Sequence, residues 1–312
     1  MDILTEAVRR NRYYLSISGL SILIDTDRCL PEQHSFRPFL TSQPEADPDF
    51  VGIFRKVPQL PQIPGSIVPS ANNPDILYEG NCFRVHTPLD EYSIRSFYDV
   101  PRDDTPYAVA YANAKYSQAW IRYLGKGSRC VSEMGNSFFH LGFEAVLIHN
   151  QRLCLHAACV DTKYGGLLFT GPSGIGKSTQ ATLWGQYRNG RQINGDRPIL
   201  SKSGSGWLAW GSPYAGSSEI HVNESCPVSA IVLLRQNSRC TVRRLGDFEA
   251  FQTVWKGLTV YTWDTYFCEQ ASSLAMELIA QVPVFELSCT ADEHAVRCLE
   301  KALQKEDDGN VK

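Results

Sequence analysis

The sequence predicts an α/β chain of mixed α+β layering: a β-rich N-terminal region followed by a strand-rich, partly antiparallel domain built around a glycine-rich loop. Three observations carry that expectation. The segment Gly171-Pro172-Ser173-Gly174-Ile175-Gly176-Lys177-Ser178-Thr179 follows an apolar run ending Leu167-Leu168-Phe169-Thr170. Beyond it, several short strand candidates succeed one another with no helix between them, unlike the alternation of an all-parallel sheet. Before residue 100, short β-type runs alternate with prolines.

In chain order, Met1-Asp2-Ile3-Leu4-Thr5-Glu6 lacks a basic-then-apolar signal segment. Arg9, Arg10 and Arg12 form a short basic cluster, read as a solvated helix face. Tyr13 to Ile24 and Phe50 to Phe54 read as strands, and Pro58, Pro61, Pro64 and Pro69 break any long helix after them. Apolar residues recur at helical spacing over Ala112–Tyr123 and Asn136–Ile148, with Phe139, Phe143, Val146 and Leu147 on one face. A domain boundary is expected near Pro101 to Pro106, with the helices able to pack on either half. The division taken is 1–130 as a β-rich region for partner or substrate recognition, 131–304 as a catalytic domain and 305–312 as a flexible, charged tail.

Past residue 150, Leu153–Val160 and Gly166–Thr170 read as two strands joined by a turn at Lys163-Tyr164-Gly165-Gly166, and Gln180–Tyr187 as a helix after the loop. Strand candidates follow at Gln192-Ile193, Pro198–Leu200, Trp207–Trp210, Val228–Leu234 and Cys240–Leu245. Helices return at Asp247–Trp255, Glu269–Gln281 and Ala291–Leu303, the last with Thr290 as N-cap and Glu293 at the capping-box spacing.

A strand, a loop of the form G-x-x-x-x-G-K-S and a helix form a phosphate-binding P-loop, or Walker A motif. Its backbone N–H groups can surround an anion, Lys177 can reach the terminal phosphates, and the Ser178 hydroxyl can ligate Mg²⁺. The expected ligand is a nucleoside triphosphate held by Gly171, Ser173, Gly174, Ile175, Gly176, Lys177, Ser178 and Thr179. Composition narrows the rest. At 312 residues, 43% hydrophobic and 20% charged, the chain is an ordinary globular protein. A net charge of -3 and pI near 6.2 give no global reason to expect nucleic acid. No apolar run approaches a membrane span. The ten cysteines contain no C-x-x-C pair and read as reduced thiols, the seven histidines are dispersed without ligand spacing, and a cytoplasmic address is the simplest.

The segment Leu155-His156-Ala157-Ala158-Cys159-Val160-Asp161, then Gly165-Gly166-Leu167-Leu168-Phe169-Thr170 and the P-loop, resembles the catalytic domain of the HPr kinase/phosphorylase family. Ile193-Asn194-Gly195-Asp196-Arg197-Pro198 falls where that family places its acidic pair. Gly211-Ser212-Pro213-Tyr214-Ala215-Gly216 is similar to a loop in the divergent branch that includes the lasso-peptide tailoring kinases. The likeness covers about residues 135 to 300. It implies a fold related to phosphoenolpyruvate carboxykinase and an ATP- and Mg²⁺-dependent kinase acting on a Ser/Thr hydroxyl of a protein or peptide, a peptide natural-product precursor among them. By matching position, Lys177 would hold the β and γ phosphates, Ser178 and Asp196 would ligate Mg²⁺, Asp196 would serve as base, and His156 would lie beside the phosphates. The family usually carries a glutamate after Lys-Ser and two neighbouring aspartates. This chain has Thr179 and, with Gly195 in the first acidic position, only Asp196, which bears on the reverse phosphorylase reaction and on Mg²⁺ handling.

Each candidate has a plainer reading. His156 is also a histidine satisfied within a sheet, Asp196 a turn former, and Arg197 either a stabiliser of transferring charge or half of a surface ion pair. Glu219 and His221 contact Mg²⁺ or acceptor, or belong to an exposed strand. Trp255, Tyr261, Trp263, Tyr266 and Phe267 form an acceptor surface or core packing. A small-molecule hydroxyl as acceptor and a non-catalytic ATP-sensing regulator remain alternatives. ATP against GTP preference and self-association into a homo-oligomer are left open.

Overall fold

The computed structural model describes residues 10–29, 35–63, 82–89, 92–99, 105–125, 140–204, 206–214 and 216–309. The chain divides into two compact units, 1–149 and 150–312. Residues 126–139, which contain the boundary expected at 130, lie outside the described residues, as do Arg9, Pro64, Pro69, Phe139 and most of Pro101–Pro106.

The first unit carries β1 (Asn11–Ile17), β2 (Leu20–Thr26), β3 (Leu40–Thr41), β4 (Phe50–Lys56), β5 (Cys82–Leu89), β6 (Tyr92–Tyr98), β7 (Ala108–Asn113), β8 (Gln118–Tyr123) and helix α1 (Phe143–His149). Its sheet runs β3-β1-β2-β4-β8-β7-β6-β5. The pairs β2–β4 and β4–β8 are parallel. The run Tyr13–Ile24 is a hairpin that turns at Ser18-Gly19, both at positive φ. Arg12 lies on β1 and reaches Asp25 at 3.6 Å, so the basic cluster ends on a strand rather than a helix face. Ala112–Tyr123 is also strand where a helix was expected. Along Gln118–Tyr123 burial alternates, with Ala119, Ile121 and Tyr123 inward. The Asn113 side chain closes the preceding turn by accepting from the N–H groups of Ser117 and Gln118 at 2.9 and 3.2 Å. A period of two with bulky inward residues favours the pleated state over any helical reading. In α1, Phe143, Val146 and Leu147 are buried as their spacing predicts.

The second unit carries β9 (Arg152–Cys154), β10 (Ala157–Thr162), β11 (Gly165–Thr170), α2 (Lys177–Arg188), β12 (Arg191–Asn194), β13 (Ile199–Ser203), β14 (Gly206–Trp210), β15 (Ser225–Gln236), β16 (Thr241–Arg244), α3 (Asp247–Gly257), α4 (Thr265–Gln281), β17 (Val284–Cys289) and α5 (Glu293–Gly309). The sheet runs β12-β10-β11-β15-β14-β13-β9, with β17 pairing both β15 and β16. Long β15 serves two neighbourhoods. Its first residues pair antiparallel with β14, and the remainder lies parallel to β11 and β17. The C-terminal ends of three parallel strands therefore sit side by side where the glycine-rich loop begins, the edge at which open α/β sheets bind ligands. Buried Ala158, Phe169, Trp184, Val232, Leu287 and Leu299 tie that sheet to α2 and α5.

The second unit departs from the expected elements in four places. Leu153–Val160 is not one strand: the chain leaves β9 after Cys154 and enters β10 at Ala157, with different partners on each. Strand β17, short and set between two helices, went unread. Helix α5 starts after Asp292, whose carboxylate accepts from the N–H groups of His294 and Ala295 at 2.8 and 3.3 Å, while Thr290 donates to that carboxylate instead of capping. The same helix continues to Gly309, so residues 305–309 extend it rather than forming a tail.

Candidate functional site

Strand β11 ends at buried Thr170 and delivers the chain into the loop. Gly176 stands at the N-cap of α2 with φ 111, a left-handed conformation that a side chain would strain. The turn it makes aims the first N–H groups of α2, which have no intrahelical acceptors, into the space before the helix. Ile175 packs on the core beneath and anchors the loop from below. Ser173, Gly174 and Thr179 are exposed, and Ser178 is half-buried.

Lys177 is buried, and its Nζ donates to the carbonyls of Gly171 and Pro172 at 3.1 and 3.2 Å. Among the described residues it makes no ion pair. Burial pushes its pKa below the usual lysine value; the Asp196 charge opposes that and Arg197 adds to it. A buried cation satisfied only by carbonyls, at a helix N-terminus, is a site short of negative charge.

Facing the loop is an acidic corner. His156, in the break between β9 and β10, has its Nε2 3.3 Å from Asp196 Oδ1, and Arg197 Nε is 3.5 Å from Oδ2. The backbone fixes His156: its N–H donates to Gly257 O at 2.7 Å, and its carbonyl accepts from the Thr170 hydroxyl at 2.9 Å. Burial pushes the Asp196 carboxyl up, but the bond from His156 and the charges of Arg197, His156 and Lys177 outweigh it and hold the group below its ordinary value. Asp196 is therefore ionised, with the Arg197 guanidinium and the His156 ring against its oxygens and the Lys177 charge nearby.

Asn194, fully buried, positions that corner. Its Oδ1 accepts from the N–H groups of Asp196 and Arg197 at 3.0 and 2.7 Å, and its Nδ2 donates to the carbonyls of Ser212 and Tyr214 at 3.0 and 3.1 Å. The Ser212 hydroxyl donates to Arg197 O at 2.6 Å. Gly216 lies against the acid itself: a Cβ there would stand 2.8 Å from Asp196 Cβ, at φ 57. The stretch Gly211–Tyr214 with Gly216 is thus the wall behind Asp196; Ala215 lies outside the described residues.

Two cavities flank the loop. One of about 400 Å³ lies between His156, Gly171 and Pro172 on one side and Arg243, Lys256 and Glu286 on the other. Arg243 there bonds both Glu249 oxygens at 2.8 and 3.0 Å and Glu286 at 3.1 Å. The second, of about 600 Å³, is lined by Gly174, Gly176, Thr179 and Gln180 and by Asn237 and Cys289.

The structure brings His156, Lys177, Asp196 and Arg197 together. Glu219 is exposed, and His221 meets Asn194 only through a backbone bridge. The aromatic group divides: Tyr261 and Phe267 are core, Trp255 and Trp263 are half-buried, and Tyr266 is exposed. Sequence reasoning missed Asn194, Ser212 and Gly216 as a unit. An Asn directly before a Gly is a turn signal, and here the Asn194 side chain accepts from the backbone N–H two residues on, an Asx turn.

No family model matches the chain, and no curated protein matches it. Among solved structures the chain is similar to the Hpr(Ser) kinase/phosphatase from Coxiella burnetii, at 12% identity over 51% of this chain and 97% of that one, with a TM-score of 0.28. So distant a likeness assigns this chain no activity. Among the described residues, no helix is long and apolar enough to cross a membrane.

Proposed function

We propose that the chain is an ATP- and Mg²⁺-dependent phosphotransferase that moves a γ-phosphoryl group to a Ser or Thr hydroxyl of a protein or peptide. The observation that carries this reading is Lys177, a buried cation with no carboxylate partner among the described residues, set at the helix end of a strand–loop–helix. That donor set fits polyphosphate: loop N–H groups and an ammonium supply the positive end, and the Ser178 hydroxyl with the Asp196 carboxylate supplies oxygens for a hard cation.

The residues divide the work by position. Lys177 would hold the terminal phosphates while the first turn of α2 orients them. Asp196, already ionised, would accept the proton of the attacking hydroxyl, and His156 and Arg197 keep its carboxylate aimed. A carboxylate of lowered basicity suits this chemistry, because phosphoryl transfer relies on positioning and charge neutralisation more than on early proton removal. When bound, Mg·ATP supplies the transferable group and offsets the charge gathered on it. Acceptor recognition falls to the first unit, which contributes none of these residues.

The test begins with purified full-length chain and Mg·ATP, measured for binding by calorimetry. Phosphoproteomes of cells expressing the native chain or Lys177→Ala are then compared, and the best acceptor is reconstituted. Phosphate appearing on Ser or Thr only with the native chain is the expected result. Tight Mg·ATP binding with no acceptor modified in either setting would overturn the reading in favour of a nucleotide sensor.

A further inference from the structure

Away from the loop, the second unit gathers three side chains that are distant in sequence. Cys240 directly precedes β16, and His294 and Cys298 stand on α5. A spacing of four puts the latter two on one helix face, one turn apart. The pairing of Thr241 with Ser288 sets Cys240 beside the end of β17, where the chain turns into α5. As a result one ligand atom from each of Cys240, His294 and Cys298 lies within 4.8 Å of the others, and Cys298 Sγ is 3.7 Å from His294 Nε2. Ligands that share a tetrahedral zinc ion, at about 2.3 Å for sulfur and about 2.0 Å for nitrogen, stand roughly 3.5–3.8 Å apart. The cluster already holds that spacing at its sulfur–nitrogen edge.

Plain packing accounts for only part of it. Cys240 and Cys298 sit half-buried at the rim of the core, as small apolar side chains would. The His294 ring, though, is exposed and has its nitrogen turned to the sulfur. A helix surface offers an imidazole water on every side, so its convergence on two thiols is the feature to be explained.

We propose that Cys240, His294 and Cys298 bind a zinc-class divalent cation, with solvent as the fourth ligand. Binding displaces one proton from each thiol, and two thiolates with one divalent ion leave the site neutral. Two sulfurs and an imidazole select a borderline-soft metal and reject Mg²⁺, so this site is chemically separate from the phosphate loop. A bound ion would tie the start of β16 to the first turns of α5. Cys289, Thr290 and Ala291, which lead from the end of β17 into α5, rim the larger cavity beside Gly174 and Gly176. The metal would thus brace one wall of that cavity without entering it.

The experiment titrates reduced full-length protein with Co²⁺ as a spectroscopic stand-in, followed by Zn²⁺ competition. One equivalent of Co²⁺ should raise a thiolate-to-cobalt charge-transfer band that Zn²⁺ abolishes, and Zn²⁺ should raise the melting temperature. Cys298→Ser and Cys240→Ser should each weaken binding about tenfold or more. Because both sulfurs touch the core, His294→Ala, on an exposed ring, is the control that leaves folding intact, and it should weaken binding as well. Absence of the band in the native chain, a band unchanged in His294→Ala, or a Cys240–Cys298 disulfide that forms in place of metal binding would each overturn the proposal. Mg·ATP affinity, measured alongside, reports on the loop independently.

Discussion

The two walls of the candidate site are built in opposite ways. The loop wall is one continuous stretch from β11 through α2, and its key groups are backbone N–H groups that the chain's own path aims. The acidic wall is assembled from His156, Asn194–Arg197, Ser212–Tyr214 and Gly216, and side-chain hydrogen bonds across 18 and 20 residues hold it. A wall made by backbone tolerates side-chain change at all but one or two positions. A wall made by convergence depends on a few buried polar groups, and each of them is a point of failure.

The sharpest test of the difference is Asp196→Asn against Lys177→Ala. The amide keeps the shape of the acidic corner and a neutral oxygen for the cation but removes the charge, so phosphoryl transfer should fall about 10²- to 10⁴-fold, with a much smaller loss of Mg·ATP affinity than Lys177→Ala gives. Lys177→Ala should lose nucleotide binding itself, by about a hundredfold, because it removes the charge-assisted contacts of the loop wall. The comparison fails if both variants lose affinity alike or if Asp196→Asn transfers at the native rate. The sign of the pH effect follows from the same contacts. His156 favours the charged form of Asp196, so His156→Ala should raise that carboxyl's pKa and move the acid limb of the pH–rate profile upward.

Asn194→Ala is the next largest effect expected, and it falls on folding as well as on rate. It would leave the N–H groups of Asp196 and Arg197 and the Ser212 carbonyl without their buried partner, a cost of about 2–4 kcal/mol. Denaturant unfolding measures it. A cost near zero would mean that the corner reorganises at will and that the convergent wall is not fragile after all.

Legibility follows the same division. The loop and its flanking elements could be read because their chemistry lies in consecutive residues: β11, Gly171–Thr179 and α2 fall where periodicity and glycines put them. The strands after α2 were legible as strands, since β-branched and aromatic runs alternate there. Which of them pair was not, because register is set by long-range contacts that no window contains. Ala112–Tyr123 misled because alanines and aromatics satisfy helical spacing as well as a period of two, and the alternating burial together with the Asn113 turn decides for the strand. Strand β17 went unread because six residues between two helices carry too little pattern. Asn194 falls within a readable motif, yet its role lies in four backbone partners that only the fold brings together.

Gly216→Ala asks how closely the convergent wall is fitted. The added Cβ meets Asp196 and forces a residue with a side chain into left-handed backbone. Displacing the carboxylate by a few tenths of an ångström should slow transfer about tenfold and leave stability within roughly 1–2 kcal/mol of native. Single-turnover rates beside unfolding curves separate the two. An unchanged rate with lowered stability would show that the glycine serves the turn and not the acid.

The smallest effect belongs to the loop wall and probes it from outside. Glu300, on α5, accepts from Arg188 at the end of α2 at 2.8 and 2.6 Å, from the Tyr164 hydroxyl at 3.1 Å, and lies 3.2 Å from Lys163. The Arg188 bonds lead, against an opposing burial cost, and with Lys163 and Tyr164 they pull its carboxyl down to about 2 from 4.5. A group depressed on folding stabilises fully above its unfolded pKa, and that stabilisation is lost as pH falls from about 4.5 towards 2. Solvent reaches these side chains and screens the network, so Glu300→Gln should cost only about 1 kcal/mol near neutral pH. It should also flatten the dependence of stability on pH within that acid window. Because the loop is held by its own backbone and by the apolar packing of α2, Mg·ATP affinity should not move. A parallel loss of affinity would mean that the loop wall, too, is held in place by side chains remote from it.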